Sequence, residues 1–326
     1  MKAPDFWSLP APNLAANLLR PFGALYGGLS AWRMRHSGAR VSAPVICVGN
    51  LVMGGAGKTP TAIALAKLLL AMRERPAFLS RGYGGARHRQ PVAVDGAQHG
   101  ADYVGDEPLL LARVAPTYVG ADRLASATAA IAGGASALIM DDGLQNPTLA
   151  KDLTLGVIDA QAGFGNGLCF PAGPLRAPVD AQIAFVSALL MIGQGPAPLG
   201  AAPVLRAQLR PSDEDAQRFA GRRVVAFAGI GRPEKFFATL EAVGAQIVAR
   251  HAFPDHWRYS PSDIMTLRGE ARAAKALLAT TQKDYVRLDA EFAAEVVCLP
   301  VELIFDAPQQ AIALLEITLA KRRQKL

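Results

Sequence analysis

A glycine-rich segment that ends in lysine and threonine carries the clearest chemical signature of the chain. The segment consists of Gly54, Gly55, Ala56, Gly57, Lys58, Thr59 and Pro60. Glycines let several backbone N–H groups converge on a phosphate without Cβ clashes, and a helix N-terminus beyond them adds partial positive charge. In such a loop Lys58 would reach the β- and γ-phosphates of a nucleotide, and the Thr59 hydroxyl would ligate Mg²⁺. The pattern therefore predicts a phosphate-binding P-loop.

The surroundings of this segment favour the P-loop over a plain glycine turn. An apolar run at 45–48 precedes it, and an apolar helical pattern begins at Ala62, so the order is strand, glycine loop, Lys-Thr and helix. One position departs from the common motif, because its first glycine would fall at Val52. A glycine turn that only joins a strand to a helix is the alternative interpretation.

Two acidic pairs follow at element boundaries. Asp141 and Asp142 end an apolar strand, where a carboxylate would hold Mg²⁺ directly or through water. The alternative is an Asp-Asp-Gly sequence that only begins a turn. Asp106 and Glu107 open a helix, where a carboxylate near a γ-phosphate would accept the proton of an attacking hydroxyl. The alternative for this second pair is helix capping.

A histidine cluster lies farther along the chain. His251, Asp255 and His256 stand within seven residues that end in Trp257. No cysteine or further histidine joins them in the sequence, so they fit a metal site poorly. A histidine paired with a carboxylate, which tunes an acid or a base, fits better.

These residues need a scaffold that brings loop ends together, and the periodicity of the sequence predicts one. Apolar strand-like runs alternate with helical patterns between residues 45 and 158 and again from residue 224 onward. The alternation indicates βαβ units. The predicted fold class is α/β: a P-loop NTPase-like, mostly parallel sheet flanked by helices, with a smaller second α/β domain and an N-terminal membrane-associated helical segment.

Composition divides the chain into four predicted parts. Residues 1–36 are the N-terminal segment, and residues 37–193 are the P-loop kinase domain. The Pro/Gly-rich residues 194–204 are a linker, and residues 205–326 are a second α/β domain that closes over the active site.

The N-terminal segment combines apolar side chains with positive charge. Leucine and aromatic residues run from Trp7 to Trp32, Arg20 and Pro21 interrupt them, and a basic stretch follows at 33–40. Charge and proline within the apolar region fit a cleaved signal peptide poorly. An interfacial helix or helical hairpin with aromatic anchors and a basic rim fits better. A helix that packs on the domain is the alternative.

Bulk composition restricts the classes of function. The 326 residues are 51% hydrophobic and 19% charged, which excludes a disordered chain, and the net charge of +7 favours anionic partners. The three cysteines, Cys47, Cys169 and Cys298, are widely spaced, which indicates buried thiols in a reducing cytoplasm. Interleaved basic and aromatic stretches are missing, so no nucleic-acid partner is expected.

Several short motifs in a fixed order resemble those of the tetraacyldisaccharide 4'-kinases, the lipid A 4'-kinases of Gram-negative bacteria. The motifs extend over nearly the whole chain: Gly49-Asn50, Gly54-Gly55, Gly57-Lys58-Thr59-Pro60, Ser80-Arg81-Gly82-Tyr83-Gly84, Gly105-Asp106-Glu107-Pro108, Asp141-Asp142-Gly143-Leu144-Gln145, Phe164-Gly165-Asn166-Gly167, Pro171-Ala172-Gly173-Pro174-Leu175-Arg176, Gly229-Ile230-Gly231, Phe253-Pro254-Asp255-His256 and Thr280-Thr281-Gln282-Lys283-Asp284. The resemblance also accounts for Val52, because the family pattern places three variable residues between Gly-Asn and Gly-Gly.

The resemblance implies ATP and Mg²⁺ as cofactors and transfer of the γ-phosphoryl group to the 4'-hydroxyl of a tetraacylated glucosamine disaccharide 1-phosphate, giving lipid IVA. It implies a peripheral protein in contact with lipids on the cytoplasmic face of the inner membrane, and we expect no obligate protein partner. Among matched residues, Asp106 is the general base and His256 the histidine that tunes it. Lys58 keeps its P-loop role, and Thr59, Asp141 and Asp142 hold the metal. The candidate substrate-binding residues are Ser80, Arg81, Tyr83, Glu107, Gln145, Asn166 and Arg176.

Two positions depart from the family pattern, and one other class of protein stays open. Asn146 stands where relatives usually have His, and Ala177 stands where they usually have Glu. If that Glu helps to hold magnesium in relatives, another carboxylate or water must serve here. The alternative function is a P-loop NTPase switch or a partner-dependent ATPase that uses no lipid acceptor. Stimulation of turnover by a lipid acceptor would separate a kinase from a switch.

Overall fold

The computed structural model describes residues 4–196 and 202–324. Residues 197–201 of the predicted linker, the first three residues of the N-terminal segment and the last two residues of the chain lie outside the described residues. The strands, in chain order, are β1 (Val45–Asn50), β2 (Pro76–Ser80), β3 (Val92–Ala93), β4 (Thr117–Val119), β5 (Ala137–Asp141), β6 (Leu153–Asp159), β7 (Ala188–Ile192), β8 (Val204–Arg210), β9 (Arg223–Ala228), β10 (Gln246–Ala252), β11 (Leu277–Thr280), β12 (Val296–Cys298) and β13 (Glu302–Phe305).

Helices connect most of these strands. They are α1 (Leu14–Met34), α2 (Lys58–Ala71), α3 (Ala101–Val104), α4 (Asp106–Ala112), α5 (Arg123–Ala132), α6 (Val179–Ile183), α7 (Asp213–Gln217), α8 (Pro233–Ala242), α9 (Pro261–Ala274), α10 (Gln282–Tyr285), α11 (Ala290–Ala293) and α12 (Pro308–Arg323). A short 3₁₀ helix, Asp5–Trp7, precedes α1.

The large sheet has the order β13-β8-β7-β6-β1-β5-β2-β4-β3 and is parallel except at its two ends. β3 pairs antiparallel with β4, and β13 pairs antiparallel with β8. All six residues of β1 are buried, as expected for a central parallel strand with helices on both faces. Chain order reverses on the two sides of β1, so the loop that follows β1 opens into the crevice where α/β sheets bind ligands.

A second sheet has the order β10-β9-β11-β12, and all its neighbouring strands are parallel. We refer to residues 223–298, which contain this sheet and α8 to α11, as the second unit. We refer to the large sheet with its helices as the P-loop unit. Phe227 and Phe292 stack in the core of the second unit with their ring centroids 5.9 Å apart.

The strands at the two ends of the predicted second domain belong to the large sheet and not to a second sheet. β13 and all but the first residue of β8 fall within the predicted range 205–326, yet both strands lie in the large sheet, and α12 packs on β6 and α2. In β13, Leu303 and Phe305 are buried and alternate with exposed residues. Such alternation shows that one face of a strand is covered, but it does not show which sheet the strand joins.

The N-terminal segment forms one long helix, α1, whose small residues face the protein. Asn13 caps it by accepting a hydrogen bond from the Ala16 N–H at 2.9 Å. A Cβ at Gly23 would lie 2.6 Å from the Cys169 carbonyl oxygen, and one at Gly27 would lie 2.6 Å from Cys169 Sγ. The two glycines therefore let α1 pack closely on the loop around Cys169. Over the described ranges, no helix has both the length and the apolar character needed to cross a membrane.

Candidate active site

The glycine segment forms a turn that leads directly into α2. Gly57 is the N-cap residue and has a φ of 93°, a conformation that favours glycine. A Cβ at Gly57 would also lie 2.6 Å from Ile192 Cδ1. Gly54 has a φ of 104° and faces open space, and its carbonyl accepts a 2.8 Å hydrogen bond from Asn50 Nδ2. The segment therefore combines an open backbone with the positive end of a helix, the arrangement that binds phosphate.

The two adjacent aspartates at the end of β5 face different partners. Asp141 Oδ2 accepts a 3.2 Å hydrogen bond from the Thr59 hydroxyl, and Asp141 Oδ1 is buried with no hydrogen-bond partner. Asp142 receives two hydrogen bonds from Arg176, of 2.6 and 3.0 Å, and lies 3.6 Å from Lys58 Nζ. Asp142 has a φ of 60°, which turns its side chain away from that of Asp141.

These different partners shift the two pKa values in opposite directions. Burial and repulsion from Glu107 raise the pKa of Asp141 to about 7. Burial alone would raise the pKa of Asp142, but attraction to Lys58 and Arg176 lowers it to about 2. The charge of Asp142 is thus compensated by cations of the protein, whereas the burial of Asp141 is compensated less.

Asp141 and Thr59 fit a magnesium ion that enters with a nucleotide. Within residues 4–196 and 202–324 no group of three or more His, Cys, Asp or Glu side chains could hold a metal. Mg²⁺ at phosphate sites usually takes one or two carboxylates, with phosphate oxygens and waters as the other ligands. The unpaired Asp141 Oδ1 and the neighbouring Thr59 hydroxyl provide such a partial set.

Asp106 and His256 meet across the boundary between the two units. Asp106 is the first residue of α4 and only 2% exposed, and its Oδ2 lies 3.0 Å from His256 Nδ1. Asp106 Oδ1 accepts a 2.8 Å hydrogen bond from the Glu107 N–H. His256 has a φ of 57° in the turn after β10, and its imidazole also contacts the Tyr83 ring at a centroid distance of 5.1 Å.

This contact shifts the pKa of each partner toward its charged form. Hydrogen bonding to Asp106 raises the pKa of His256, and it outweighs burial, which lowers the value. Burial raises the pKa of Asp106, but hydrogen bonding to His256 and the charges of Lys283, His256 and Arg287 lower it overall. Each group of the pair therefore favours the charged form of the other.

A cavity of about 1410 Å³ lies between the two units and brings most of the predicted residues together. The P-loop, Asp141, Asp142 and His256 line it, while Asp106 lies just behind its wall. Of the predicted substrate-binding residues, those that line it are Ser80, Arg81, Tyr83, Glu107, Gln145 and Arg176. Gln145 is held in place, because its Nε2 donates to the Asn50 carbonyl and to Gln182 Oε1, and its Oε1 accepts from Arg176.

Asn166 is the exception, because its side chain forms hydrogen bonds with backbone groups away from the cavity. Its Nδ2 donates to the Ala172 carbonyl at 2.9 Å and to the Phe6 carbonyl at 3.2 Å, and its Oδ1 accepts from the Leu168 N–H at 3.1 Å. Asn166 is 7% exposed and does not line the cavity. Its amide ties the loop after β6 to the N-terminal 3₁₀ helix, so the prediction of substrate contact is not supported.

Two cations of the second unit belong to the site but were not among the predicted residues. Lys283 Nζ lies 2.5 Å from Glu107 Oε1, and Arg287 Nε lies 3.8 Å from Asp106 Oδ2. Lys283 belongs to the last of the sequence motifs, but the sequence alone does not indicate a role for it. A second group of charges, in which Arg232 lies 2.9 Å from Asp159 and Lys235 contacts the same carboxylate, joins the two units at another edge of the cavity.

The two departures from the family pattern have different surroundings. Ala177 is fully buried in an apolar cluster that includes Leu51 and Leu144. A carboxylate at position 177 would be desolvated in this cluster. With alanine there, this position provides no acidic side chain for a metal ion. Asn146 lines the cavity, and its Oδ1 accepts hydrogen bonds from the Thr148 N–H and hydroxyl.

Comparison with known proteins identifies close relatives. Residues 15–319 match the model of the family described as tetraacyldisaccharide-1-P 4'-kinase. A tetraacyldisaccharide 4'-kinase of Methylobacterium nodulans is 57% identical over 320 residues, which cover 96% of this chain and 94% of the relative. A protein of the same name from Rhodopseudomonas palustris (strain BisB5) is 47% identical over 317 residues, covering 94% of this chain and 93% of the relative.

A solved structure has the same fold. LpxK from Aquifex aeolicus, described as an "apo" form in complex with ATP, superposes with a TM-score of 0.77 at 24% identity. The match covers 94% of this chain and all of the other. The predicted α/β class with a large, mostly parallel sheet is therefore confirmed.

Proposed function

The chain belongs to the tetraacyldisaccharide-1-P 4'-kinase family, and from this premise we propose that it transfers the γ-phosphoryl group of ATP to the 4'-hydroxyl of a tetraacylated glucosamine disaccharide 1-phosphate, giving lipid IVA. One observation carries the proposal. The P-loop and His256 line the same cavity, and Asp106 lies just behind its wall in contact with His256. This arrangement supports a phosphoryl donor and a base that serve one cavity.

The donor side of the reaction would be served by the P-loop. The backbone from Gly54 to Gly57 would bind the phosphates, and Lys58 would neutralise the charge that develops on the γ-phosphoryl group. Thr59 and Asp141 would hold Mg²⁺, which would supply positive charge to offset that of the phosphates. Asp142, fixed by Arg176, would position Lys58 through their 3.6 Å contact.

The acceptor side would be served by Asp106. A sugar hydroxyl is a poor nucleophile, and a carboxylate within hydrogen-bond reach would take its proton as the new P–O bond forms. His256 would favour the ionised form of Asp106, because its hydrogen bond and positive charge lower the pKa of that carboxylate. His256, which is contributed by the second unit, reaches Asp106 only where the two units are in contact.

The exposed face of α1 supports a lipid substrate at a membrane surface. Large apolar side chains spaced three or four residues apart form one stripe that faces solvent: Leu14, Leu18, Phe22, Leu25, Leu29 and Trp32, each more than half exposed. Six such residues on one helical face match an interfacial helix that lies in the headgroup region. Tyr26, Leu29, Ser30 and Arg33 also line the cavity, so the stripe continues to its mouth. This continuity supports peripheral binding at the cytoplasmic face of the inner membrane.

Positive side chains at the cavity support recognition of the 1-phosphate. Arg33 and Arg81 line the cavity, and neither forms an ion pair among the described residues. Guanidinium groups bind phosphate through paired N–H donors. These two arginines are therefore our candidates for binding the phosphate at the reducing end of the disaccharide.

The acceptor dependence of ATP turnover tests the proposal. The purified protein, detergent-solubilised tetraacyldisaccharide 1-phosphate and MgATP should give rapid transfer, while turnover without the lipid should stay slow. A switch-type NTPase, which is the alternative, would release inorganic phosphate at the same rate with or without the lipid. The same lipid already phosphorylated at the 4'-position is the matched control, because it supplies the surface but not the hydroxyl.

A further inference from the structure

A lysine of the second unit reaches into the cavity beside the P-loop. Lys283 belongs to α10, and its ammonium group forms a 2.5 Å ion pair with Glu107, the second residue of α4. Lys283 lines the same cavity as Lys58 and the P-loop glycines. The Lys283–Glu107 pair therefore lies next to the Asp106–His256 pair, and both pairs join the two units.

Glu107 is influenced by both lysines. Burial raises the pKa of Glu107, but attraction to Lys283 and then to Lys58 lowers it overall. Charges influence each other strongly only over a few ångströms in a partly buried site. Lys283, Glu107 and Lys58 all line one cavity, so the ammonium group of Lys283 and that of the P-loop act on the same carboxylate.

Three other cations near this pair contact protein partners, whereas Arg33 and Arg81 line the cavity without an ion pair among the described residues. Lys58 and Arg176 both contact Asp142. Arg287 donates to Asp284 Oδ1 at 2.6 Å and to the Gly229 carbonyl at 2.9 Å. Lys283 has Glu107 as its one ion-pair partner within the described ranges, and a flexible four-carbon stem lets its ammonium group turn from that carboxylate to a phosphate.

We propose that Lys283 is a further catalytic residue, whose ammonium group contacts the γ-phosphoryl group from the acceptor side during transfer. The inference rests on the proposed kinase reaction. In that step the bond between the γ-phosphorus and the β,γ-bridging oxygen breaks, and its electron pair leaves with ADP. A bond forms between the same phosphorus and the acceptor oxygen, and the acceptor proton passes to Asp106. Glu107 holds Lys283 in the cavity before the nucleotide arrives.

The arrangement would make transfer depend on docking of the second unit. Lys58 approaches the phosphoryl group from the P-loop unit and Lys283 from the second unit, so the two positive charges surround it only when both units are in contact. Charge stabilisation in the transition state is the largest single contribution in phosphoryl transfer. A nucleotide bound while the units are apart would lack one of the two cations.

Two substitutions separate a phosphate contact from a simple ion-pair link between the units. Lys283→Met removes the ammonium group, whereas Glu107→Gln removes only its partner. We expect kcat for the lipid acceptor to fall about a hundredfold or more in Lys283→Met and about tenfold or less in Glu107→Gln, with the KM for ATP changed less than about threefold. Arg268→Met is the matched control, because Arg268 forms a 3.0 Å ion pair with Glu291 within the second unit and does not line the cavity. The control should keep the wild-type kcat.

The outcomes are distinct from those of the kinase proposal. If the wild-type protein transfers no phosphate to the lipid, the proposed function fails, and this inference fails with it. If the wild type is active and the two variants lose kcat equally, Lys283 acts only through Glu107 and the contact is wrong. Equal activity of Lys283→Met and the wild type would also overturn it. Should Lys283→Met not fold by circular dichroism, Lys283→Gln, which keeps a hydrogen bond to Glu107 without the charge, must show the same large loss.

Discussion

The Asp106 carboxylate and the His256 imidazole lie 3.0 Å apart, although they belong to different units of the protein. Asp106 is nearly inaccessible to solvent behind the cavity wall, and His256 is partly exposed toward the cavity. The contact therefore does two things. It favours the ionised form of a buried carboxylate, and it makes this effect depend on how the units are docked. The predictions below follow from this pair and from the groups around it.

Replacing Asp106 with Asn keeps the shape of the side chain but removes the base. We expect kcat to fall about a hundredfold or more, because no other group would take the proton of the acceptor hydroxyl in the transition state. ATP binding uses the P-loop, so the dissociation constant for ATP should change little. Steady-state kinetics and nucleotide titration measure the two quantities. A variant that keeps more than half of the wild-type kcat would show that Asp106 is only the start of α4.

Replacing His256 with Ala should move the pH dependence of the reaction. In the wild type, the histidine lowers the pKa of Asp106, so the active carboxylate form persists to lower pH. Without the histidine, burial is less opposed, and the pKa of Asp106 rises. The acid limb of the kcat profile, which reports the loss of this carboxylate, should therefore shift to higher pH, and kcat at neutral pH should fall. If the acid limb stays at its wild-type pH, His256 does not affect the pKa of the base.

The double variant tests whether the two residues act as a unit. Asp106→Asn with His256→Ala should be little slower than Asp106→Asn alone, because the histidine has no base left to tune. Independent residues would instead give losses that multiply. Multiplicative losses would place His256 in a separate role, such as packing against Tyr83.

Replacing Lys58 with Ala should stop phosphoryl transfer without unfolding the protein. The lysine is 9% exposed, and its ammonium group lies 3.6 Å from Asp142. The substitution removes the positive charge that would neutralise the phosphoryl group. We expect kcat to fall on the order of a thousandfold, the scale seen when a cation at a phosphoryl group is removed. Circular dichroism provides the folding control. Turnover close to that of the wild type would contradict the P-loop assignment.

Charges placed on the exposed stripe of α1 should weaken membrane binding. Leu18 and Leu25 are 69% and 74% exposed, so Leu18→Glu with Leu25→Glu leaves the packed face of the helix unchanged. The variant should bind less to vesicles of anionic lipid than the wild type does. Its KM for the lipid substrate should rise more than its KM for ATP. Ile317→Glu on α12, where the side chain is 51% exposed, is the control. Wild-type sedimentation of the Leu18/Leu25 variant with vesicles would place the anchor elsewhere.

Asn166→Ala should affect stability and not the chemistry. The change removes the hydrogen bonds to Phe6, Leu168 and Ala172 and leaves buried backbone groups without partners. A loss of about 1–3 kcal/mol in the free energy of unfolding is expected, with the KM for lipid unchanged. Chemical denaturation and steady-state kinetics measure both. A raised KM with unchanged stability would restore Asn166 to the substrate site.

The sequence alone was sufficient where chemistry is local. The P-loop, Thr59 and the Asp141–Asp142 pair sit at element ends whose periodicity is plain, and the parallel sheet then brings these ends to one edge. The resemblance to the family added the pairing of Asp106 with His256, which no spacing rule connects. Their meeting depends on how two sheets dock, and that information is spread over the whole chain.

Sequence reasoning was insufficient where pairing or side-chain direction decides. The alternation in β13 predicts a half-buried strand, but its antiparallel pairing with β8 in the large sheet is a long-range choice. Asn166 shares a motif with functional residues, yet its amide turns inward to backbone carbonyls. Lys283 stands in a motif of its own, and only its contact with Glu107 shows that it belongs to the site.

The position of the phosphate on the lipid product tests the central claim most directly. Tetraacyldisaccharide 1-phosphate, MgATP and the wild-type protein should yield a product whose ³¹P spectrum contains a second phosphomonoester, coupled to the proton at C-4'. The Asp106→Asn variant in equal amount should form the same product far more slowly. Release of inorganic phosphate with the lipid unchanged, or phosphate attached at a position other than 4', would contradict the account.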